Sequence, residues 1–252
     1  MAQFDLKSIH KNLVLDHMFF SANDEEFAEL KLIFAQFQCV SHSVVQTDED
    51  GWEGLYLRTR GQYYLEILRN RRIKSIGLCQ KAYLPLSQDS RHIVNDFPNL
   101  PWKTFERSNK GVKWFTALSC DDYFNLETPF NTWVMYYHKT DDMGVLNIPQ
   151  VEIEQITDVC VSSHPSLFDK IVLNSTWFNA DKNIGTDCIT YQIQTQYCDS
   201  FRLKIDLNNI DPGFYFNQAT FKLHNNFNAS EYDLQYYSFQ KVGSNYVLFK
   251  KQ

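Results

Sequence analysis

His17 and Glu66 are the two residues of this 252-residue chain whose types and settings point to chemistry. His17 lies in LVLDHMFFS (13–21) and Glu66 in YYLEIL (63–68), each an ionisable group among apolar neighbours. Side chains of a regular strand alternate between faces, so His17 is expected beside Leu13, Leu15 and Phe19, and Glu66 beside Tyr64 and Leu68. Burying either group without a partner is costly. A divalent cation satisfies both, because imidazole nitrogen and carboxylate oxygen suit Zn, Ni, Mn or Fe(II). A His–Glu or Arg–Glu hydrogen bond in a core satisfies them as well. Arg58 bears on that choice: a hairpin from Trp52 to Leu68 with a three-residue loop sets Arg58 and Glu66 on one face, and a one-residue slip separates them.

The elements that must position these groups are readable from the periodicity. Leu13 to Ser21 reads as a buried strand. Asn23 with Glu26 three residues on is a capping-box start, and Phe27, Leu30, Ile33, Phe34 and Phe37 then recur at helical spacing. Strand-like runs follow at Val40 to Thr47, Trp52 to Arg58 and Tyr63 to Leu68, separated by turn formers around Gly51 and Gly61. The order is βαβββ. A second, divergent unit begins near Ile153, with Pro165 placed for a first helical turn and strands at Cys188 to Gln194, Phe201 to Leu207, Phe214 to Leu223 and Tyr246 to Lys250. Between them lies an apolar stretch with strands at Ser75 to Ala82, Val112 to Ser119 and Thr132 to His138, expected to pack on the sheet and shape a cavity. The expected units are 10–82, an inserted β-rich region 83–150, and 151–252.

Composition sets outer limits. The net charge of −6 argues against general attraction to nucleic acid, and no apolar run approaches the ~20 residues of a membrane helix. The opening MAQFDLKSIHKNLVLDH lacks a signal-peptide apolar block, so a cytoplasmic location is expected. The six cysteines lie far apart without a CxxC pair and read as reduced, mostly buried thiols. There is no GxxxxGK[ST] loop, no GxGxxG after a strand and no GxSxG elbow.

With His17 in LDHMFF and Glu66 in YYLEIL, 49 positions apart, the βαβββ pattern resembles the vicinal oxygen chelate superfamily of glyoxalases, bleomycin-resistance proteins and extradiol dioxygenases. WEGLYLRTRGQYYLEIL (52–68), GLCQKA (77–82) and PFNTWVMYYH (129–138) are similar to an uncharacterised glyoxalase-like subgroup. The resemblance implies an α+β fold of two βαβββ modules with a long inserted region, curved mixed sheets enclosing a cavity, and a divalent metal (Zn, Ni, Mn or Fe) at its centre. It implies His17 and Glu66 as ligands and, by matching ITDVCV to LDHMFF, Asp158 as a third. No later glutamate stands at a convincing fourth position. An open position on such a metal binds two neighbouring oxygens of a small substrate and stabilises an oxyanion. The competing reading is a non-catalytic binder whose cup, lined by Trp52, Tyr56, Arg58 and Tyr64, sequesters a small molecule. His138 ends an aromatic strand and reads either as a cavity-closing ligand or as an edge histidine. No catalytic residue is assigned. The expected partner is a small molecule, with neither nucleic acid nor membrane, and a homodimer that completes the cup is compatible with this reading.

Overall fold

The computed structural model describes residues 13–49, 51–69, 75–82, 103–119, 130–137, 151–169, 171, 180–195, 200–211, 213–225 and 227–251. Strand β1 (Leu13–Ala22) runs into helix α1 (Asp24–Phe34) through a complete capping box. The Asn23 side-chain oxygen accepts from the Glu26 backbone N–H at 2.9 Å, and the Glu26 carboxylate accepts from the Asn23 N–H at 3.0 Å. Two otherwise orphaned donors are thereby satisfied at the point where the chain turns. Phe27, Leu30, Ile33 and Phe34 are buried along one helix face.

Strands β2 (Val40–Gln46), β3 (Gly51–Arg58) and β4 (Tyr64–Arg69) complete the first βαβββ run. Next come β5 (Ile76–Ala82), β6 (Lys103–Asn109), β7 (Val112–Ser119) and β8 (Phe130–Tyr137). The second half holds β9 (Ile153–Ser163), a 3-10 turn (Pro165–Leu167), β10 (Ala180–Ile184), β11 (Cys188–Gln194), β12 (Ser200–Asp206), β13 (Phe214–Leu223), β14 (Tyr232–Asp233), β15 (Tyr237–Val242) and β16 (Asn245–Lys250). Strands β6, β10, β14 and β15 fall outside the runs expected from the sequence; β6 and β10 have charged, mostly exposed residues that hide the alternating pattern. No helix among the described residues is long and apolar enough to cross a membrane.

The fold is glyoxalase-like α+β: two eight-stranded mixed sheets, one strongly curled. The first has the order β2-β3-β4-β1-β5-β8-β7-β6 and the second β10-β11-β12-β9-β13-β16-β15-β14. Three of the four half-sheets repeat one arrangement, an inner strand with its parallel partner beside it and two antiparallel strands beyond; in the fourth, β13 pairs antiparallel with β16. The stretch between the two expected modules therefore supplies most of the other half of the first sheet. Strand β5 pairs antiparallel with β1 and parallel with β8, just as β1 pairs parallel with β4.

The two sheets pack through one continuous apolar core. Leu13, Leu15, Met18 and Phe20 of β1 belong to one buried cluster with Val159, Val161 and Phe216 of the second sheet, and the Phe20 and Phe216 rings stack 4.1 Å apart. The remaining faces of the two sheets point away from one another. On the first, the ends of the sheet curl toward each other until Trp52 of β3 stacks against Trp114 of β7, at 6.3 Å and 5°. The β2–β3 loop ties that rim: the Asp48 carboxylate accepts from the N–H groups of Lys110 and Gly111, and Glu49 from that of Ser108.

Gly77 marks the tightest point of the concave floor. It sits between Phe19 and Asn131, and a Cβ there would lie 2.3 Å from the Asn131 carbonyl oxygen and 2.5 Å from the Phe19 ring. Backbone cannot yield as a flexible side chain does, so Gly77→Ala is expected to cost about 1–3 kcal/mol in urea unfolding. A neutral result would show that Phe19 does not lie over the strand.

Candidate metal and ligand site

The site begins with an irregularity in β1. Leu15 pairs with Gln80 and His17 with Cys79, so β1 takes two steps where β5 takes one, and Asp16 is the extra residue of a β-bulge. The alternation changes phase there. Leu13 and Leu15 face the inter-sheet core, as do Met18, Phe20 and Ala22, while His17 and Phe19 face the concave side. His17 therefore does not share its face with Leu13 and Leu15, as regular alternation predicts; it shares it with Phe19 and with Asp16.

Asp16 is the hub of a buried network. Its Oδ2 accepts from His17 Nδ1 at 2.8 Å and from the Tyr137 hydroxyl at 3.1 Å, and its Oδ1 lies 3.3 Å from Lys81 Nζ. Asp16, His17 and Lys81 are 2%, 3% and 5% exposed. Burial alone would push the Asp16 carboxyl up, but the hydrogen bond and charge of His17, then Lys81 and Tyr137, outweigh it and hold it below the usual carboxylate value. The Asp16 carboxylate accepts from Nδ1, which leaves Nε2 as the ring nitrogen directed away from it. A carboxylate behind a histidine is the usual arrangement for orienting a metal ligand.

His17 Nε2 is buried and has no hydrogen-bond partner. The atom facing it is Glu66 Oε2, 3.5 Å away. Glu66 comes from the parallel neighbour β4, whose register sets Tyr64 beside His17 and Glu66 beside Phe19. Tyr64 stacks on the imidazole at 4.7 Å and 18°, closing one side. Burial pushes the Glu66 carboxyl up, against the attraction of His17 and hydrogen bonds from Tyr56 and Trp52. The Trp52 indole N–H also lies 2.7 Å from the Tyr56 hydroxyl. Trp52, Tyr56, Arg58 and Tyr64 thus all line the face that carries His17 and Glu66. The β3–β4 register pairs Tyr56 with Glu66 and Arg58 with Tyr64, which settles the sequence ambiguity: Arg58 and Glu66 share a face.

The spacing of the donor atoms fits a cation. Two bonds of ~2.1 Å at a tetrahedral angle hold donor atoms about 3.4 Å apart, close to the 3.5 Å between Nε2 and Oε2. Asp16, His17 and Cys79 also offer donor atoms within 4.8 Å of one another. Asp16, however, is already engaged by Lys81, Tyr137 and His17 Nδ1, and burial keeps the Cys79 thiol protonated. The donor atom left over is Nε2, and it faces Glu66.

Asp158 is not brought to this pair. It lies on β9 of the second sheet, on the side away from the shared core, and is ion-paired with Arg202. The positions that the strand pattern makes equivalent to His17 and Glu66 in the other half of the first sheet are Cys79 on β5 and Met135 on β8. Both belong to a small apolar cluster with Phe115 and Ala117. The cup thus has hard donors on one half and sulfur on the other. His138 lies outside the described residues. Asp16, Lys81 and Tyr137 escaped the sequence reading. The adjacency of Asp16 and His17 in LDHMFF was the available signal, but regular alternation puts such neighbours on opposite faces.

The solved structure of a hypothetical protein from Staphylococcus aureus is similar to this chain, with a TM-score of 0.52 and 13% identity across 77% of this chain and 86% of that one. The Mn(II)-bound glyoxalase from Novosphingobium aromaticivorans aligns at a TM-score of 0.45 and 12% identity, over 81% of this chain and 63% of its own. The 2,2',3-trihydroxybiphenyl 1,2-dioxygenase from Sphingomonas wittichii aligns at 0.42 and 10%, over 80% and 70%. At these identities the likeness concerns the fold. No protein-family model matches the chain, and no curated protein does.

Proposed function

We propose that this chain is a glyoxalase-fold protein that holds one divalent cation between His17 and Glu66 and acts on a small, oxygen-rich molecule in the concave face of the first sheet. The observation that carries the reading is the buried, unpartnered Nε2 of His17, 3.5 Å from a buried carboxylate and locked from behind by Asp16. A cation there supplies Lewis-acid stabilisation to neighbouring substrate oxygens. Asp16 fixes the imidazole tautomer, and Tyr56 and Trp52 orient Glu66. Tyr64 covers the imidazole face, and Phe19, Trp133 and the Trp52–Trp114 pair exclude water from around a bound molecule.

The test is metal analysis of protein purified without chelator and then offered Zn, Ni, Mn and Fe(II). Stoichiometric metal that is lost in His17→Ala, with the fold intact by circular dichroism, is the expected result. Protein that takes up none of the four overturns the reading. The sulfur atoms of Cys79 and Met135 favour a second reading, a metal-free binder of small molecules, because they leave half of the cup without hard donors. That version predicts unchanged ligand binding in chelator-treated protein.

Glu66→Gln separates stability from cation binding. A carboxyl raised by folding stabilises fully below its unfolded pKa of ~4.3 and loses that contribution as pH climbs through its folded value. Glutamine retains an acceptor for Tyr56 and Trp52 and has no charge to bury. The metal-free variant is therefore expected to melt above the parent at pH 7.5, with the difference closing near pH 4, while its cation uptake falls. Equal melting temperatures at both pH values would contradict the burial of an ionisable Glu66.

A further inference from the structure

We infer that Arg58 is the anchor for a carboxylate group, and that the molecule held in this cup is a small planar carboxylate of single-ring size. The inference names the ligand class of the proposed site and rests on that reading only in using the same concave face. Arg58 ends β3 on that face, half-buried, directly opposite Tyr64. Its guanidinium carbon lies 5.5 Å from the Tyr64 ring centroid and 5.9 Å from that of Tyr56. Its Nε is buried with no hydrogen-bond acceptor, and no carboxylate among the described residues pairs with it.

That is an unusual position for a group that cannot shed its proton. Arg69 and Arg202, by contrast, each have carboxylate partners: Asp24 and Glu53 for the first, Asp158 for the second. Glu66 shares the face of Arg58 but is turned to His17 and to the donors of Tyr56 and Trp52. The aromatic contacts desolvate the guanidinium and attract it weakly, yet they accept none of its in-plane N–H groups. Those donors form a fork whose geometry fits the two oxygens of a carboxylate.

The register sets the size of the ligand. Arg58, Tyr64 and His17 occupy one row across β3, β4 and β1, with the Tyr64 ring stacked on the imidazole. The guanidinium and the imidazole therefore flank the Tyr64 ring, 5.5 Å and 4.7 Å from its centroid, so a ligand that spans them passes over one aromatic ring. A molecule with its carboxylate on Arg58 and its other oxygens toward His17 and Glu66 lies along Tyr64 and Tyr56. Aromatic walls of this kind favour a flat, unsaturated body.

The experiment is titration of the full chain with benzoate, its neutral isostere benzamide and inorganic phosphate, read by fluorescence of the Trp52–Trp114 rim. Benzoate is expected to bind saturably, and benzamide and phosphate each at least about tenfold more weakly. Arg58→Gln is expected to weaken benzoate binding about 10- to 100-fold, the loss of one charge-assisted hydrogen-bonded pair. Arg58→Lys should fall between, keeping charge without the fork, and Arg202→Gln on the other sheet should match the parent. Benzoate that fails to bind, or binds Arg58→Gln as tightly as the parent, overturns the inference, as does benzamide or phosphate binding equally well. Cation content measured on the same samples reports on the metal reading independently, since no hydrogen bond or ion pair joins Arg58 to His17 or Glu66.

Discussion

Asp16→Ala is expected to lower the unfolding free energy by about 3–5 kcal/mol, the usual consequence of removing one partner from a buried ion pair. The substitution removes the acceptor of His17 Nδ1 and of the Tyr137 hydroxyl, and leaves the Lys81 ammonium with the Gln62 carbonyl as its remaining hydrogen-bond acceptor. Much of the cost is the stranded charge, so adding Lys81→Met should restore part of it. The double variant is expected to be more stable than Asp16→Ala alone, a non-additivity that a double-mutant cycle from urea unfolding at pH 7 measures. The folded Asp16 carboxyl is held low, so its contribution is present above the unfolded pKa of ~3.9 and is lost as pH falls through the folded value. Parent and variant should therefore converge in acid. A free imidazole ring is also a poorer ligand, and cation affinity should drop about 10- to 100-fold. A cost below about 1 kcal/mol, with additive effects in the cycle, would show that the network is not buried and charged.

Phe20→Ala is the second large effect, expected at about 3–5 kcal/mol. Phe20 is 2% exposed and stacks nearly parallel on Phe216, so truncation opens a cavity where the two sheets meet. The apolar core runs unbroken from one sheet to the other, and the parent is expected to unfold in one transition seen alike by tryptophan fluorescence and far-ultraviolet circular dichroism. The variant should keep that single transition at lower urea. Separate transitions in the parent would mean that the sheets are not joined through this core. The same packing keeps Asp158 from His17, because it turns the two outer faces in opposite directions.

Much of the local structure was legible. The capping box at Asn23 and Glu26, the helical spacing of Phe27, Leu30, Ile33 and Phe34, and the strand runs around His17 and Glu66 all follow from short-range periodicity. Two ionisable residues in otherwise apolar strands were enough to mark the concave face. Less legible was the membership of the site. Asp16 and His17 read as facing opposite ways, and Asp158 matched His17 in local pattern while lying in another sheet. Lys81 and Tyr137 come from strands whose neighbours are decided by pairing across more than 60 residues of chain.

The chain's own residue pattern thus sets which segments become strands and helix, and which of their side chains are too polar to be buried alone, because propensity, capping and alternation act over a few neighbouring positions. The bulge at Asp16, the joining of β5 to β1, the shared face of Arg58 and Glu66, and the meeting of His17 with Glu66 belong to the assembled sheets. Hydrogen-bond register and the placing of one extra residue are settled by the packing of strands distant in sequence. A single residue of phase decides whether a side chain joins the core or the cup.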